Sequence, residues 1–182
     1  MKKLHINLKN VKSVSFSGVA LAICLLAAVI TLSYVLFHNP HQGLHDHIFK
    51  TAENIRNYYR DQPNYWKLST ETAKADGLIV AELLKNKDFT LKIGQGKNGD
   101  VSMPNNNSFD IALQNLSKSA CINLSELAVT KSQQLGLQKI TIISDDIITE
   151  FDWGGDNPLP IKHYATRGLC QPTDNTLIWT FQ

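Results

Sequence analysis

The chain has 182 residues, of which 43% are hydrophobic and 19% charged, an ordinary composition for a globular protein. Its formal net charge of +2 hides an uneven distribution, because residues 1–37 carry four lysines and no acid. The rest is nearly neutral, with 14 basic and 16 acidic residues. Such a charge produces no broad positive field, so the sequence argues against nucleic acid as a partner.

The first predicted element is a membrane-spanning helix. Residues 14–37 contain no Asp, Glu, Lys or Arg. As an α-helix this run would measure about 36 Å, enough to cross a hydrocarbon core of about 30 Å. The lysines precede it, so the positive-inside rule places the N-terminus in the cytoplasm and exports the remaining chain, which suits one domain. The alternative is a cleaved signal peptide, whose apolar region is usually about 7–15 residues long.

After this segment the pattern predicts an amphipathic continuation of the helix, with a kink at Pro40. Apolar residues recur at steps of three or four and form one stripe, while the charged residues lie elsewhere. The stripe consists of Leu44, Ile48, Ala52, Ile55 and Tyr59. Asp61–Asn64 end this helix, and a shorter helix is predicted from the caps at Ser69–Thr72 to about Leu84.

The remaining chain is predicted to form mainly strands, with one helix from Ser117 to Leu135 that Gly136 ends. Loops are expected at Gly94–Gly99 and Pro104–Asn107, and a polar loop after Ile143. The predicted strands are Phe89–Ile93, Asp100–Met103, Ser108–Leu113, Lys139–Ile143, Ile161–Ala165 and Leu177–Phe181. This order predicts an α+β fold in which an antiparallel β-sheet packs on the long N-terminal helix.

The exported part contains two cysteines, Cys121 and Cys170, whereas Cys24 lies in the apolar run. An even number of cysteines outside the cytoplasm favours a disulfide, and two separate buried thiols are the alternative. A disulfide here would close a loop of about 50 residues and contribute roughly 4 kcal/mol to stability.

A glycine-rich motif follows the first predicted strand, at Gly94, Gly96 and Gly99. No helix is predicted directly after it, so a phosphate group would find no helix N-terminus, and a hairpin turn is the better interpretation. Walker A, GxSxG and HExxH motifs are absent from the sequence. We therefore predict no catalytic residue and no cofactor, and a protein that is not an enzyme.

Two clusters of polar residues invite a metal-site interpretation. His41 and His45 have the i,i+4 spacing of metal ligands, but no third ligand matches them, so the four histidines at positions 38, 41, 45 and 47 are interpreted as a polar collar. Five acids occur between Asp145 and Asp156 without EF-hand spacing, which favours a solvated loop over a calcium site. Trp153, within this loop, is a candidate partner contact. No metal ligand is assigned.

Several segments together resemble type IVb pilins, the family of toxin-coregulated pili, bundle-forming pili and the thin pili of conjugative plasmids. The resemblance covers most of the chain, and its most specific parts surround the two exported cysteines. The segments are a basic leader ending at Gly18, the apolar helix from Val19, Asn64–Thr70, Asp76–Ile79, Phe109–Leu113, Ser119–Leu124, Leu169–Cys170 and Asn175–Phe181.

This resemblance implies a pilin-like fold with one disulfide between Cys121 and Cys170. It implies a leader at 1–18, a transmembrane helix at 19–40 and a periplasmic domain at 41–182, with a prepilin peptidase cutting between Gly18 and Val19. The protein would be a single-pass component of the bacterial inner membrane before assembly into an extracellular pilus. Its partners would be other pilin subunits and the pilus assembly machinery.

One position departs from the family pattern. Family members that polymerise freely carry a glutamate five residues into the mature helix, where this chain has Ile23. In lipid or a filament core that carboxylate would pair with the N-terminal ammonium of a neighbouring subunit, because an unpaired charge there is costly. We therefore expect a minor, priming or tip pilin. The alternative is an uncleaved bitopic component of a secretion or conjugation apparatus.

Overall fold

The computed structural model describes residues 23–29, 42–97, 104–126, 133 and 135–182, and the chain divides into two units, Met1–Asn39 and Pro40–Gln182. In the first unit, residues 23–29 are helical and expose the large apolar side chains of Ile23, Leu25, Leu26 and Val29. The predicted leader, the Gly18–Val19 cleavage site, Pro40 and most of the transmembrane helix lie outside the described residues. Among the described residues, no helix combines the length and apolarity needed to cross a membrane.

The second unit begins with helix α1, Gln42–Tyr59. All five residues of the predicted stripe are buried, with at most 8% of their surface exposed. They join a core that also contains Phe49 from the same helix. The predicted amphipathic helix is therefore confirmed. It packs on the domain through its one apolar face, as the stripe required.

Two short helices, α2 (Thr70–Ala75) and α3 (Ala81–Lys85), replace the single helix predicted from Ser69 to Leu84. The predicted cap is correct, since Ser69 and Thr72 form a capping box at the start of α2. Gly77 then adopts a left-handed conformation with φ of 67°, which ends the first helix. The prediction of one helix was wrong because the intervening residues bond to α1 instead of continuing the helix.

Five antiparallel strands form the described sheet, in the order β1-β2-β5-β3-β4. They are β1 (Thr90–Lys97), β2 (Pro104–Leu116), β3 (Leu137–Ser144), β4 (Ile147–Asp152) and β5 (Asn175–Phe181). The last strand in the sequence is thus the central strand of the sheet. Its alternate residues Leu177, Trp179 and Phe181 are completely buried, as the period of two requires for one covered face.

The strand predictions at 139–143 and 177–181 are confirmed. Three segments that were predicted as loops need correction. Gly94–Lys97 and Pro104–Asn107 were predicted as loops and belong to β1 and β2, which pair across a bulge between Gln95 and Gly96. The predicted polar loop after Ile143 contains β4, which pairs with β3 through a tight turn. The predicted strand Asp100–Met103 lies outside the described residues.

Two more helices with described bounds are α4 (Lys118–Ser125) and α5 (His163–Leu169). Ser117, the predicted start of this helix, caps α4 and accepts a hydrogen bond from the amide of Ala120. The helix ends at Ser125, well before Leu135, while Leu127 and Ala128 lie outside the described residues. The strand predicted at Ile161–Ala165 was wrong, because this segment leads into α5, which starts at His163 and packs on α4.

Candidate functional site

A disulfide between Cys121 and Cys170 closes the segment of residues 121–170, called here the disulfide segment. Cys121 lies in the first turn of α4 and Cys170 directly follows α5, and both residues are buried, with Cα atoms 6.0 Å apart. The segment includes β3, β4 and α5. The expected bond is present, and it ties the two helices to the same end of β5.

Asn175 anchors the end of the disulfide segment to the sheet. Its Oδ1 accepts from the Gln171 amide and the Ser144 hydroxyl, each at 2.7 Å. Its Nδ2 donates to the carbonyl oxygens of Leu116 at 2.9 Å and Gln171 at 2.8 Å. A completely buried amide is thus fully satisfied while it joins β2, β3 and the loop after Cys170. The sequence analysis included Asn175 in the segment Asn175–Phe181 but did not indicate this role, since two of its three partner residues, Leu116 and Ser144, are distant in the chain.

Two histidines contact the end of α4. The His45 ring nitrogen Nε2 lies 3.1 Å from the Leu124 carbonyl, which links α1 to α4. On the other side, His163 Nδ1 pairs with the Glu126 carboxylate, while Arg167 Nε donates to His163 Nε2 at 3.0 Å. Of the histidines in the predicted polar collar, His45 therefore makes a contact within the domain. His38 and His41 lie outside the described residues.

The acidic segment between Asp145 and Asp156 is mostly part of a β-hairpin. Asp145, with φ of 52°, forms the β3–β4 turn with Asp146, and Glu150 pairs with Lys139 at 2.6 Å. Asp152 accepts hydrogen bonds from the amides of Gly154 and Gly155. No group of three potential ligands suited to a metal occurs in the described part of the chain.

Trp153 is not the exposed aromatic contact that the sequence suggested. It is half-buried against the core, and its Nε1 donates to the Leu137 carbonyl at 2.6 Å. The most exposed aromatic residues of the described part lie elsewhere: Trp66 is 63% exposed and Tyr164, on α5, is 74% exposed. Exposed aromatics are common contact residues at interfaces.

Trp66 lies in a hydrogen-bonded turn. Its amide donates to Asn64 Oδ1 at 2.9 Å, and the Leu68 amide donates to the Tyr65 carbonyl at 3.0 Å. Lys67 has a positive φ of 73° and holds its ammonium 5.0 Å from the Trp66 ring centroid, a cation–π contact. The segment Asn64–Thr70 was singled out in the sequence, although its exposure was not predicted.

Three tyrosines at the end of α1 and in the following turn have perturbed acidity. The Asp76 carboxylate raises the pKa of Tyr58 by charge repulsion and by accepting its hydrogen bond. Burial is the main cause that raises the pKa of Tyr59. Burial also raises the pKa of Tyr65, and Arg56 partly offsets that rise. The Tyr65 ring lies between those of Tyr59 and Phe109, with centroids 5.4 and 4.8 Å away.

A cavity of about 690 Å³ opens where α1 begins, near the ends of β2 and β5. Its wall is apolar at Leu44 and Phe89 and acidic at Glu82, Asp88 and Asp174. The Ser117 hydroxyl, which also lines the cavity, is engaged in capping α4.

Solved structures with a similar arrangement include two pilins. One is TcpA, a type IV pilin from Vibrio cholerae El Tor biotype, with 15% identity and a TM-score of 0.45, covering 76% of this chain and 98% of its own. The other is the type IVb pilin from Salmonella typhi, with 17% identity and a TM-score of 0.42, covering 72% and 93%. Both are type IV pilins. No protein-family model and no curated protein matches the chain.

Proposed function

We propose that the chain is a structural subunit of the type IVb pilin kind and has no catalytic activity. The observation that carries this proposal is the placement of the disulfide. Cys121 opens a helix and Cys170 lies just before a final strand that runs through the centre of the sheet. That is the pattern of the family that the sequence resembles, on a sheet whose apolar face is packed against an amphipathic helix.

The N-terminal unit adds a second argument for assembly. In helix 23–29 four large apolar side chains are each at least 60% exposed. Such a surface needs a partner, which a bilayer supplies before assembly and neighbouring subunits supply in a filament. The sequence around this helix supports a single-pass inner-membrane protein with its domain in the periplasm.

The processing steps of pilins are part of the proposal. A prepilin peptidase would cut between Gly18 and Val19, leaving a helix of residues 19–40 with a kink at Pro40. That helix would measure roughly 30 Å, still enough to span the membrane before extraction. The partners would be other pilin subunits and the assembly machinery.

We further propose a minor, priming or tip position for this subunit. Ile23 stands where freely polymerising family members carry a glutamate, so this subunit cannot neutralise the N-terminal ammonium of a neighbour already in the filament. A subunit that begins a filament has no such neighbour, so it has no ammonium group to neutralise. Ile23 also favours the alternative, an uncleaved bitopic component of a secretion or conjugation apparatus. The sequence after Gly18 lacks the glutamate of the family pattern, which weakens the case that the chain is cleaved there.

Immunogold labelling of purified filaments, together with mass spectrometry of the mature N-terminus, tests the proposal. We expect sparse labelling, concentrated at filament ends, and a chain that begins at Val19. An intact Met1 in cells with an active peptidase would support the bitopic alternative. Absence from filaments, in cells that assemble them and produce the chain, would contradict a role as a filament subunit.

A further inference from the structure

We propose that the outer edge of β4 is a docking site for an extended segment of a partner protein that carries lysine or arginine on both sides of an apolar residue. The site consists of residues 146–150 and is called the β4 edge. This proposal is independent of whether the chain is a filament subunit.

The β4 edge presents unsatisfied backbone groups. β4 is the last strand of the sheet, and the β3–β4 register leaves the amide and carbonyl of alternate residues, Ile148, Glu150 and Asp152, directed away from β3. Asn157 and Leu159 bond to the backbone of Asp152, and the Asn157 side chain donates to the Glu150 carbonyl. Among the described residues none bonds to the backbone of Ile148, so a strand can be added at this point.

The opposite edge of the sheet, β1, is contacted at its middle by the residues at the start of α2. There the Thr70 hydroxyl accepts from the Ile93 amide at 2.7 Å and lies 3.3 Å from the Ile93 carbonyl, and Ser69 pairs with Gly94. The two edges therefore differ at their middle residues, since Ile93 of β1 is bonded at its outer backbone groups and Ile148 of β4, among the described residues, is not.

Apolar side chains flank the open backbone groups. Ile147 is 60% exposed and Ile148 is 65% exposed, and because successive residues point to opposite faces of a strand they offer an apolar contact on each side. An added strand would cover both. This is the combination of free edge and apolar surface that strand addition uses.

Charge identifies the class of partner. From residue 140 to residue 161 the chain has five acids and no lysine or arginine, and Lys139, directly before this stretch, pairs with one of the acids, Glu150, whose side chain stays 46% exposed. A second copy of the chain pairing antiparallel about Ile148 would bring Asp146 opposite Glu150, and like charges in that position are destabilising. A strand with basic residues at those two positions would instead meet opposite charges. The edge thus disfavours its own copy and favours a basic segment.

The probe is the peptide acetyl-Val-Lys-Thr-Val-Thr-Lys-Val-amide, titrated calorimetrically into the full chain in a nonionic detergent, with the matching peptide in which glutamate replaces lysine as its control. Ile148→Pro removes the outward amide without breaking a β3–β4 hydrogen bond, since proline is tolerated at such edge positions. Asp146→Lys reverses a flanking charge. Glu82→Lys makes the same charge change on α3, away from the edge.

We expect at least tenfold weaker peptide binding for Ile148→Pro and for Asp146→Lys, less than a twofold change for Glu82→Lys, and no binding of the glutamate peptide. Hydrogen exchange of the Ile148 amide should slow at least tenfold in the complex. Equal binding by all variants, or equal binding of both peptides, would overturn the proposal. Self-association of the chain that Ile148→Pro abolishes would overturn it in favour of a second copy.

Discussion

Asn175 illustrates how much of this domain depends on single buried groups. Its amide makes four hydrogen bonds that connect two strands and the loop next to the disulfide. Trp179 is the opposite case, because its Nε1 is buried and has no hydrogen-bond partner among the described residues. A buried polar group without a partner costs about 1–3 kcal/mol. The bonded amide of Asn175 therefore stabilises the fold, whereas the Nε1 of Trp179 destabilises it.

Replacing Asn175 by alanine should therefore be strongly destabilising. The change leaves the buried Leu116 carbonyl and the partly buried Gln171 amide without these partners, and we expect a loss of about 3 kcal/mol in the free energy of unfolding. Urea denaturation with the disulfide intact measures it. Asn157→Ala, which removes one exposed hydrogen bond, is the matched control and should cost less than about 1 kcal/mol. Equal losses would show that the buried network does not contribute.

The glycine-rich motif has a packing role that a pair of substitutions can test. A Cβ at Gly96 would overlap the Ser108 hydroxyl and lie 2.9 Å from its Cβ, whereas nothing lies within 4 Å of a Cβ at Gly94. Gly96→Ala should cost about 1–3 kcal/mol through overpacking, and Gly94→Ala should change stability by no more than about 1 kcal/mol. Thermal denaturation of both variants provides the comparison. Similar melting temperatures would contradict the close approach of β1 and β2.

Alkaline pH should destabilise the domain through its tyrosines. The pKa values of Tyr58, Tyr59 and Tyr65 are raised above the ordinary value of 10.0. Their neutral forms are favoured in the folded state, so this contribution is complete below pH 10 and is lost as the pH rises through the folded pKa values. Urea denaturation at pH 9, 10 and 11 should show a decline that is shallower in Tyr58→Phe. An unchanged slope in that variant would refute the Asp76 interaction.

At the scale of elements, the disulfide joins pieces that secondary structure alone does not hold together. α4 is held by its cap, by the contacts of His45 and His163, and by Cys121, while α5 has only seven residues. Isolated helices of this length are unstable in water, so they depend on tertiary contacts and on the covalent bond. The disulfide segment should consequently be the part of the domain most sensitive to reduction.

Replacing both Cys121 and Cys170 by alanine should lower the free energy of unfolding by roughly 4 kcal/mol, the entropy of closing a loop of this size. Denaturation of the variant, compared with wild type before and after reduction, measures the change. Cys24→Ala is the control, because that cysteine is free and exposed and its removal should leave the domain unaffected. A double variant as stable as wild type would show that noncovalent packing suffices.

At the scale of the whole molecule, the proposed role depends on Ile23. If the missing carboxylate limits this subunit to the start of a filament, Ile23→Glu should let it enter along the filament length, because the charge pair with a neighbour is restored. We expect severalfold more immunogold label per filament for Ile23→Glu than for wild type. Ile23→Gln is the matched uncharged control and should behave as wild type does. Unchanged label in both would contradict the explanation of the minor role.

Local patterning determined several elements without any knowledge of tertiary structure. The stripe of α1 and the strands at 139–143 and 177–181 followed from the periods of 3.6 and 2 that buried faces impose. The cap at Ser69 followed from the need of helix N-termini for acceptors. The disulfide was one of two alternatives after Cys24 was assigned to the apolar run. These features depend on residues close together in the sequence, which is why they were predictable.

Only the tertiary structure decided the features whose partners are distant in the chain. The helix predicted from Ser69 to Leu84 divides because Thr51 and Asn54 of α1 bond the residues between α2 and α3. An acidic stretch becomes β4 because β3 pairs with it, and Ile161–Ala165 leads into a helix because α4 offers a packing surface. The sequence by itself determined which residues needed burial; the fold decided which partners buried them, because pairing energy belongs to two segments and is invisible in either alone.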